Sequence, residues 1–325
     1  MSLSSNPSLI APTGFPLSVI ICTHNPYRDY LDQTLAGLRA QTLPVQEWEL
    51  ILVDNLSNPP LPDLARLDWH PQARTVIATE LGLTQARLKG IETARADLIV
   101  FVDDDNILDP HYLERARDLG AARPYLGAWG AGLVLPKFEV EPSPEILPHT
   151  DTLSLRRQKE ACWSNVRYVT ECSPMGAGMC VRKTVAESWA RTARASSLRQ
   201  SLDRRGDSLG LCGDSDLALT ACDLGLGNGV FPELEMVHLI PRKRCEEDFL
   251  VKNAYGWSYS VTLLDSLRRP NPRLGERRLL RWLKLRLRPF LLALFLPPLE
   301  RKLRWARATG LYDALNQLDR DRVPH

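Results

Sequence analysis

The chain has 325 residues, 44% of them hydrophobic and 25% charged, with a formal charge of +2. This length suits one large α/β domain with an appendage, and the composition is that of an ordinary soluble globular protein. The near balance of charge says little about partners, but its distribution says more. Thirteen Lys and Arg lie between Arg268 and Arg307 against only Glu276 and Glu300. A basic stretch on a near-neutral body points to an anionic surface for that stretch alone.

Met1 to Pro16 lacks a basic start and a continuous apolar run, so it is read as an N-terminal tail and not a signal peptide. The first apolar run, Ser18–Thr23 (SVIICT), is followed by leucines at Leu31, Leu35 and Leu38, the spacing of one helix face. Glu49–Asp54 (ELILVD) comes next, then a second helical stripe at Thr84, Leu88 and Ile91, then Asp97–Asp103 (DLIVFVD). The three β-like runs are continuously apolar rather than alternating, which predicts parallel strands covered on both faces. The β-α-β-α-β order predicts a doubly wound, Rossmann-like sheet, and ligands of such sheets bind beyond the carboxyl ends of the strands. Those ends are Thr23-His24-Asn25, Asp54-Asn55 and Asp103-Asp104-Asp105. Pro136–Pro148, with four prolines among acidic residues, reads as a surface loop. Gly176–Arg182 reads as a strand with a glycine entry, and Asp214–Leu224 as a helix. After about Cys245 the composition turns basic and aromatic, which marks a helical region over 246–325 after a main domain over 17–245.

Cysteines at positions 22, 162, 172, 180, 212, 222 and 245 are scattered, with no CxxC pair, and predict reduced thiols in a cytosolic protein. The longest strongly apolar run, Phe290 to Leu296, has seven residues where a bilayer span needs roughly 20, so no transmembrane helix is expected.

The acidic triplet Asp103-Asp104-Asp105 supplies hard oxygen ligands suited to magnesium, manganese or calcium, although a solvated turn capping the following helix is equally compatible with it. An ion there would bind a diphosphate and neutralise its charge as it leaves. The ordered set SVIICTHNP, LILVDN, LGLTQARLKGIETARADLIVFVDDDN, GAGMCVRK and GDSDLAL resembles the family-two glycosyltransferases of GT-A-type fold, over roughly Leu17 to Arg244. The resemblance implies a nucleotide-sugar donor, UDP-linked in the usual case, a divalent metal (manganese or magnesium) and inversion at the anomeric carbon. By the same resemblance Thr23 and Asn25 cradle the nucleotide, Asp54 bonds the base and Arg87 approaches the nucleotide. Asp103 and Asp104 face ribose or sugar hydroxyls. Asp105 and His238 take the metal, and Asp214 is the catalytic base, with Arg242 and Arg244 on a loop near the diphosphate. Gly213 stands where the family usually has Glu, and the second strand ends Asp-Asn-Leu-Ser-Asn-Pro-Pro instead of Asp-Asp-Gly-Ser. Asp214 is also a good helix N-cap, Arg87 a good solvent-facing helix residue, and His238 a plausible core histidine on a strand.

Projected as a helix, Glu276 to Leu296 puts Leu280, Leu283, Leu287, Leu291 and Leu294 on one face beside Arg277, Arg281, Lys284 and Arg288, with Trp282 and Trp305 flanking. Pro289 should kink or break it. That pattern predicts an interfacial helix, or else one packed on the catalytic domain or in a dimer contact. The expectation is a transferase at the cytoplasmic face of a membrane, acting on a glycan or lipid-linked acceptor. The alternatives are a degenerate, non-catalytic scaffold, for which Gly213 is the support, and a sugar nucleotidyltransferase, which would need a Gly-rich loop that Thr23-His24-Asn25-Pro26 does not supply. No nucleic-acid-binding motif accompanies the basic stretch.

Overall fold

The structure is a computed structural model that describes residues 16–61, 67–206, 210–287 and 295–322. The three apolar runs become β1 (Leu17–Thr23), β2 (Trp48–Asp54) and β4 (Leu98–Asp103), with β3 (Ala73–Ile77) outside β2. Between them lie α1 (Arg28–Arg39) and α2 (Leu83–Thr93). The next elements are β5 (Asn106–Leu108), α3 (Tyr112–Ala122) and β6 (Leu126–Phe138). Short strands β7 (Arg156–Arg157), β8 (Cys162–Ser164) and β9 (Cys180–Arg182) precede α4 (Lys183–Arg194), α5 (Ser197–Gln200), α6 (Gly213–Asp223) and β10 (Gly227–Ile240). The C-terminal region contributes α7 (Glu247–Ser266), α8 (Arg278–Trp282) and α9 (Pro298–Arg322).

The strands form one sheet in the order β3-β2-β1-β4-β9-β6-β10-β5, with β7 on β6 and β8 on β10. Pairs β1–β2, β1–β4, β2–β3 and β6–β10 are parallel, and β9 runs antiparallel to both β4 and β6. Continuous apolarity in the first strands has the physical cause the sequence suggests. Val19, Ile21, Leu50, Leu52, Val100 and Val102 pack with α1 and α3 on one face. Ile20, Ile51, Val53, Ile99 and Phe101 pack with α2, α4 and α6 on the other. Successive strand residues point to opposite faces, so a strand covered on both needs an apolar residue at every position. Helix α2 lies close to β1 because a β-carbon at Gly90 would sit 2.6 Å from Ile20 Cγ2.

Three expectations are corrected. Pro136 belongs to β6, opposite His238 of β10, so the proline-rich loop begins only after Phe138. Of Gly176–Arg182 only Cys180–Arg182 is strand, because Gly178 turns the chain with a φ of +70°. In the basic region, Arg281 does not lie on a solvent-facing stripe but is 1% exposed, donating to Asp319, Asn316 and the Arg273 carbonyl. Much of the remaining basic charge is paired with acids, some near in sequence and some far. Arg268 pairs with Asp216 and Asp223, Arg269 with Asp265, Lys284 with Glu276 and Lys302 with Glu247.

Helices α7 and α9 are fused to the α/β body. Leu250, Leu299 and Leu303 join Ile146, Leu153 and Ile240, while Leu263, Ala314 and Leu318 join Leu202, Cys212 and Leu219. Leu279, Leu280, Trp282, Leu283 and Phe295 remain exposed, Phe295 to 95%. Leu291, Leu294, Arg288 and Pro289 lie outside the described residues. No helix among the described residues is long and apolar enough to cross a membrane.

Candidate active site

The chain leaves β1 for β2 on one side and returns to β4 on the other, so a crevice opens at the carboxyl ends of β1 and β4. A cavity of about 340 Å³ occupies it, lined by Thr23, Arg87, Asp103, Asp104, Asp105, Asp214, His238 and Arg244, all singled out in the sequence. Asn25 and Asp54 are not on its wall. Asn25 adopts a left-handed φ of +49°, which Asn tolerates, and its side chain accepts from the Asn58 N–H at 2.8 Å. The buried Asp54 carboxylate accepts from the N–H groups of Ser57 and Leu61 at 2.9 and 3.1 Å. Both side chains therefore shape the loop after β2. Asn55, one residue further on, lines the cavity and ties that loop to α2, accepting from the Gly82 N–H at 2.7 Å.

Three carboxylates in succession follow β4, and their surroundings separate them. Burial and the neighbouring Asp105 charge push Asp104 up to about 7, although the Thr23 hydroxyl donates to it. Burial, then Asp105, also raises Asp103 against the opposing pull of Arg87. Burial alone would raise Asp105 too, but its hydrogen bond with His238 and the Arg244 guanidinium hold it below the ordinary carboxylate range. The antiparallel pairing of β10 with β5 sets His238 opposite Asn106, which brings its Nε2 within 3.5 Å of Asp105 Oδ2. Arg244, on a short helical turn after β10, places Nη1 2.9 Å from the same Nε2 and pairs through Nη2 with Asp105 at 3.0 Å. Arg242 is not on the cavity wall.

Asp214 is the second residue of α6. Its carboxylate accepts from the Gly176 N–H at 2.8 Å and from the Ser215 N–H at 2.7 Å, an anion held at a helix N-terminus. Gly176 is wedged between two functional groups, for a β-carbon there would lie 2.9 Å from Arg87 Nη2 and 3.0 Å from Asp214 Oδ2. Asp216, two residues on, is buried and anchors the helix, accepting from Trp189 Nε1 and pairing with Arg199 and Arg268.

Sequence reasoning missed Asp203. Its buried carboxylate pairs with Arg87 at 2.9 Å and accepts from the Thr84 hydroxyl at 2.8 Å. Arg87 is therefore not solvent-facing; burial opposes its charge, but the carboxylates of Asp203, Asp214 and Asp103 together outweigh it and keep the guanidinium protonated. A β-carbon built at Gly213 would fall on the Asp203 carboxylate. An acid from the loop before α6 thus fills the space a side chain at 213 would take. The only hint in sequence is Gly213 itself, since Asp203-Arg204-Arg205 reads as an ordinary surface charge run.

Among the described residues no group of three His, Cys, Asp or Glu is arranged to hold a metal ion. Asp105 and His238 converge but supply only two positions of an octahedral shell, so an ion would fit only with phosphate and water completing the shell and Arg244 displaced.

A second cavity, of about 560 Å³, adjoins the first, and Asp214, His238, Arg204 and Arg244 line both.

Residues 18–143 match the family model described as Glycosyl transferase family 2. The chain is 31% identical over 101 residues to the putative glycosyltransferase EpsH of Bacillus subtilis, which is 30% of this chain and 28% of that protein. It is 36% identical over 103 residues to polypeptide N-acetylgalactosaminyltransferase 8 of Drosophila melanogaster, 30% of this chain and 17% of that one. These matches span less than a third of each relative. Among solved structures, the mannosyltransferase PcManGT from Pyrobaculum calidifontis, in complex with GDP-Man and Mn2+, superposes with a TM-score of 0.52 at 16% identity. That superposition covers 98% of this chain and 80% of that one. The fold is of the GT-A type.

Proposed function

We propose, from the GT-A-type family-2 glycosyltransferase fold of this chain, that it transfers a sugar from a nucleotide-sugar donor, UDP-linked, to a hydroxyl of a glycan or lipid-linked acceptor. The observation that carries the reading is the position of Asp214, a carboxylate that lines both cavities and shares the first with the acidic triplet. A sugar hydroxyl is a weak nucleophile until a base takes its proton during attack. In this reading Asp214 takes that proton as the acceptor oxygen attacks the anomeric carbon, and the nucleoside diphosphate departs on the opposite face, giving inversion. Thr23, Asp103 and Asp104 orient the donor. Arg87, fixed by Asp203, and Arg204 face the charge that develops on the diphosphate. Asp105 and His238 would hold manganese or magnesium, which when bound neutralises charge on the leaving diphosphate.

The non-catalytic alternative drew on Gly213. What weighs against it is the Asp203 carboxylate in the space beside that glycine, which keeps an acid at this point of the site. The test is Asp214→Asn, which keeps size and most hydrogen bonding but cannot accept the proton. UDP affinity should be unchanged by calorimetry while transfer falls by about 10²–10⁴. Transfer near the parental rate would remove Asp214 from the chemistry. A peripheral membrane position at the cytoplasmic face is part of the same proposal, supported by the exposed Leu279, Leu280, Trp282, Leu283 and Phe295 in a region rich in Arg.

A further inference from the structure

The second cavity is bordered on the side away from the acidic triplet by two arginines the proposed donor chemistry does not use. Arg156, on β7, donates to the Ser173 carbonyl at 3.0 Å and forms no ion pair among the described residues. Burial lowers its pKa, and what opposes this is the neighbouring thiols of Cys162 and Cys172. A partly buried guanidinium without a counter-charge is costly unless something anionic completes it. Arg307, on α9, lines the same cavity and also forms no ion pair among the described residues. Arg204 reaches in from the shared wall, where burial and then the Arg244 charge lower its pKa. Two acids, Asp151 and Asp214, stand against them, and Arg244 is already paired with Asp105.

The remaining wall has the character of a sugar site. Ser154, Thr170 and Ser215 offer hydroxyls, and the aromatic rings of Phe249 and the 53% exposed Trp257 also line it. Aromatic faces pack on the apolar faces of sugar rings, while planar guanidinium forks match carboxylate or phosphate oxygens in pairs.

We propose that this cavity is the acceptor site, and that it takes an acidic saccharide whose carboxylate or phosphate is held by Arg156 and Arg307 while a hydroxyl is presented to Asp214. This rests on the transferase reading above and deepens it. The C-terminal helix α9 then serves acceptor selection through Arg307, in addition to packing on the body.

The experiment fills the first cavity with UDP and Mn2+ and titrates methyl glucoside, methyl glucuronide and glucose 6-phosphate into the full-length protein, reading affinity by calorimetry. At least one acidic sugar should bind ten times or more tighter than methyl glucoside. Arg307→Gln, an exposed change that leaves the core alone, should cut that preference several-fold, and Arg156→Gln with Arg307→Gln should abolish it. UDP affinity should be unchanged in both variants, which also reports folding. Equal binding of neutral and acidic sugars, or a preference that survives the double change, overturns the proposal. Binding of a short-chain polyprenyl phosphate in neutral detergent, with no acidic sugar bound, also overturns it in favour of a lipid phosphate. If UDP does not bind the parent, the donor reading fails separately, and the same titrations without nucleotide still decide the charge preference of the cavity.

Discussion

Replacing Asp203 by Asn removes one charge from a buried pair and changes little else in shape. Arg87 and Asp203 are only 6% and 5% exposed as side chains, and Nη1 contacts both carboxylate oxygens at 2.9 and 3.0 Å. Leaving one member of a buried pair uncompensated costs about 3–5 kcal/mol. Asp214 and Asp103 still attract Arg87, so the lower end applies, about 3 kcal/mol. With an unfolding entropy of about 2.1 cal/mol/K per residue, that lowers the melting temperature by roughly 4–5 °C for a chain of 325 residues. Urea unfolding followed by circular dichroism measures the loss directly. Arg87→Met should be similarly harmful, because it strands the acid. The double variant should be much less unstable than the sum of the two, with a coupling of about 2 kcal/mol or more. UDP affinity should fall in Asp203→Asn, since Arg87 loses its fixed position. An Asp203→Asn protein within about 0.5 kcal/mol of the parent, or a strictly additive double variant, would refute the claim that this pair holds the site together.

Asp105→Ala should abolish the increment in UDP affinity that manganese gives, read by calorimetry with and without the ion; an unchanged increment moves the metal elsewhere. Cys22 lines the first cavity, yet burial pushes its thiol up to about 12. Because the thiolate is the reactive form, iodoacetamide at pH 8 should label it about a thousandfold more slowly than an ordinary cysteine, and UDP should make no difference to that rate. Rapid labelling, measured by peptide mass spectrometry, would contradict this. Binding to anionic vesicles should weaken with salt without vanishing, because screening acts on the arginines but not on apolar burial. Changing Leu279, Leu280 and Leu283 together to Ser should remove the salt-resistant part. If the parent ignores vesicles altogether, these leucines have another role.

The first three parallel strands, the two helix stripes and the crevice they create were legible in sequence for a local reason, whereas the half-exposed edge strand β3 was not. A strand buried on both faces must be apolar throughout, and a helix on a sheet must show a stripe, so tertiary burial leaves its mark within each segment. The acidic triplet was legible because three carboxylates at a strand end are conspicuous whatever surrounds them. Position within a strand-end turn was not, and the fold decided it: the left-handed Asn25 and the capping Asp54 shape the loop after β2, while Asn55 reaches the cavity. Nor could any local pattern pair Arg87 with Asp203, across 116 positions of sequence. The basic C-terminal stretch misled for the same reason. Its charges looked unopposed because the acids that meet Arg268 and Arg281, Asp216 and Asp319, come from other parts of the chain. Electrostatic partners act through space over a few ångströms and leave no periodicity behind, so the sequence by itself determined which segments are buried, and only the tertiary structure decided which charges meet.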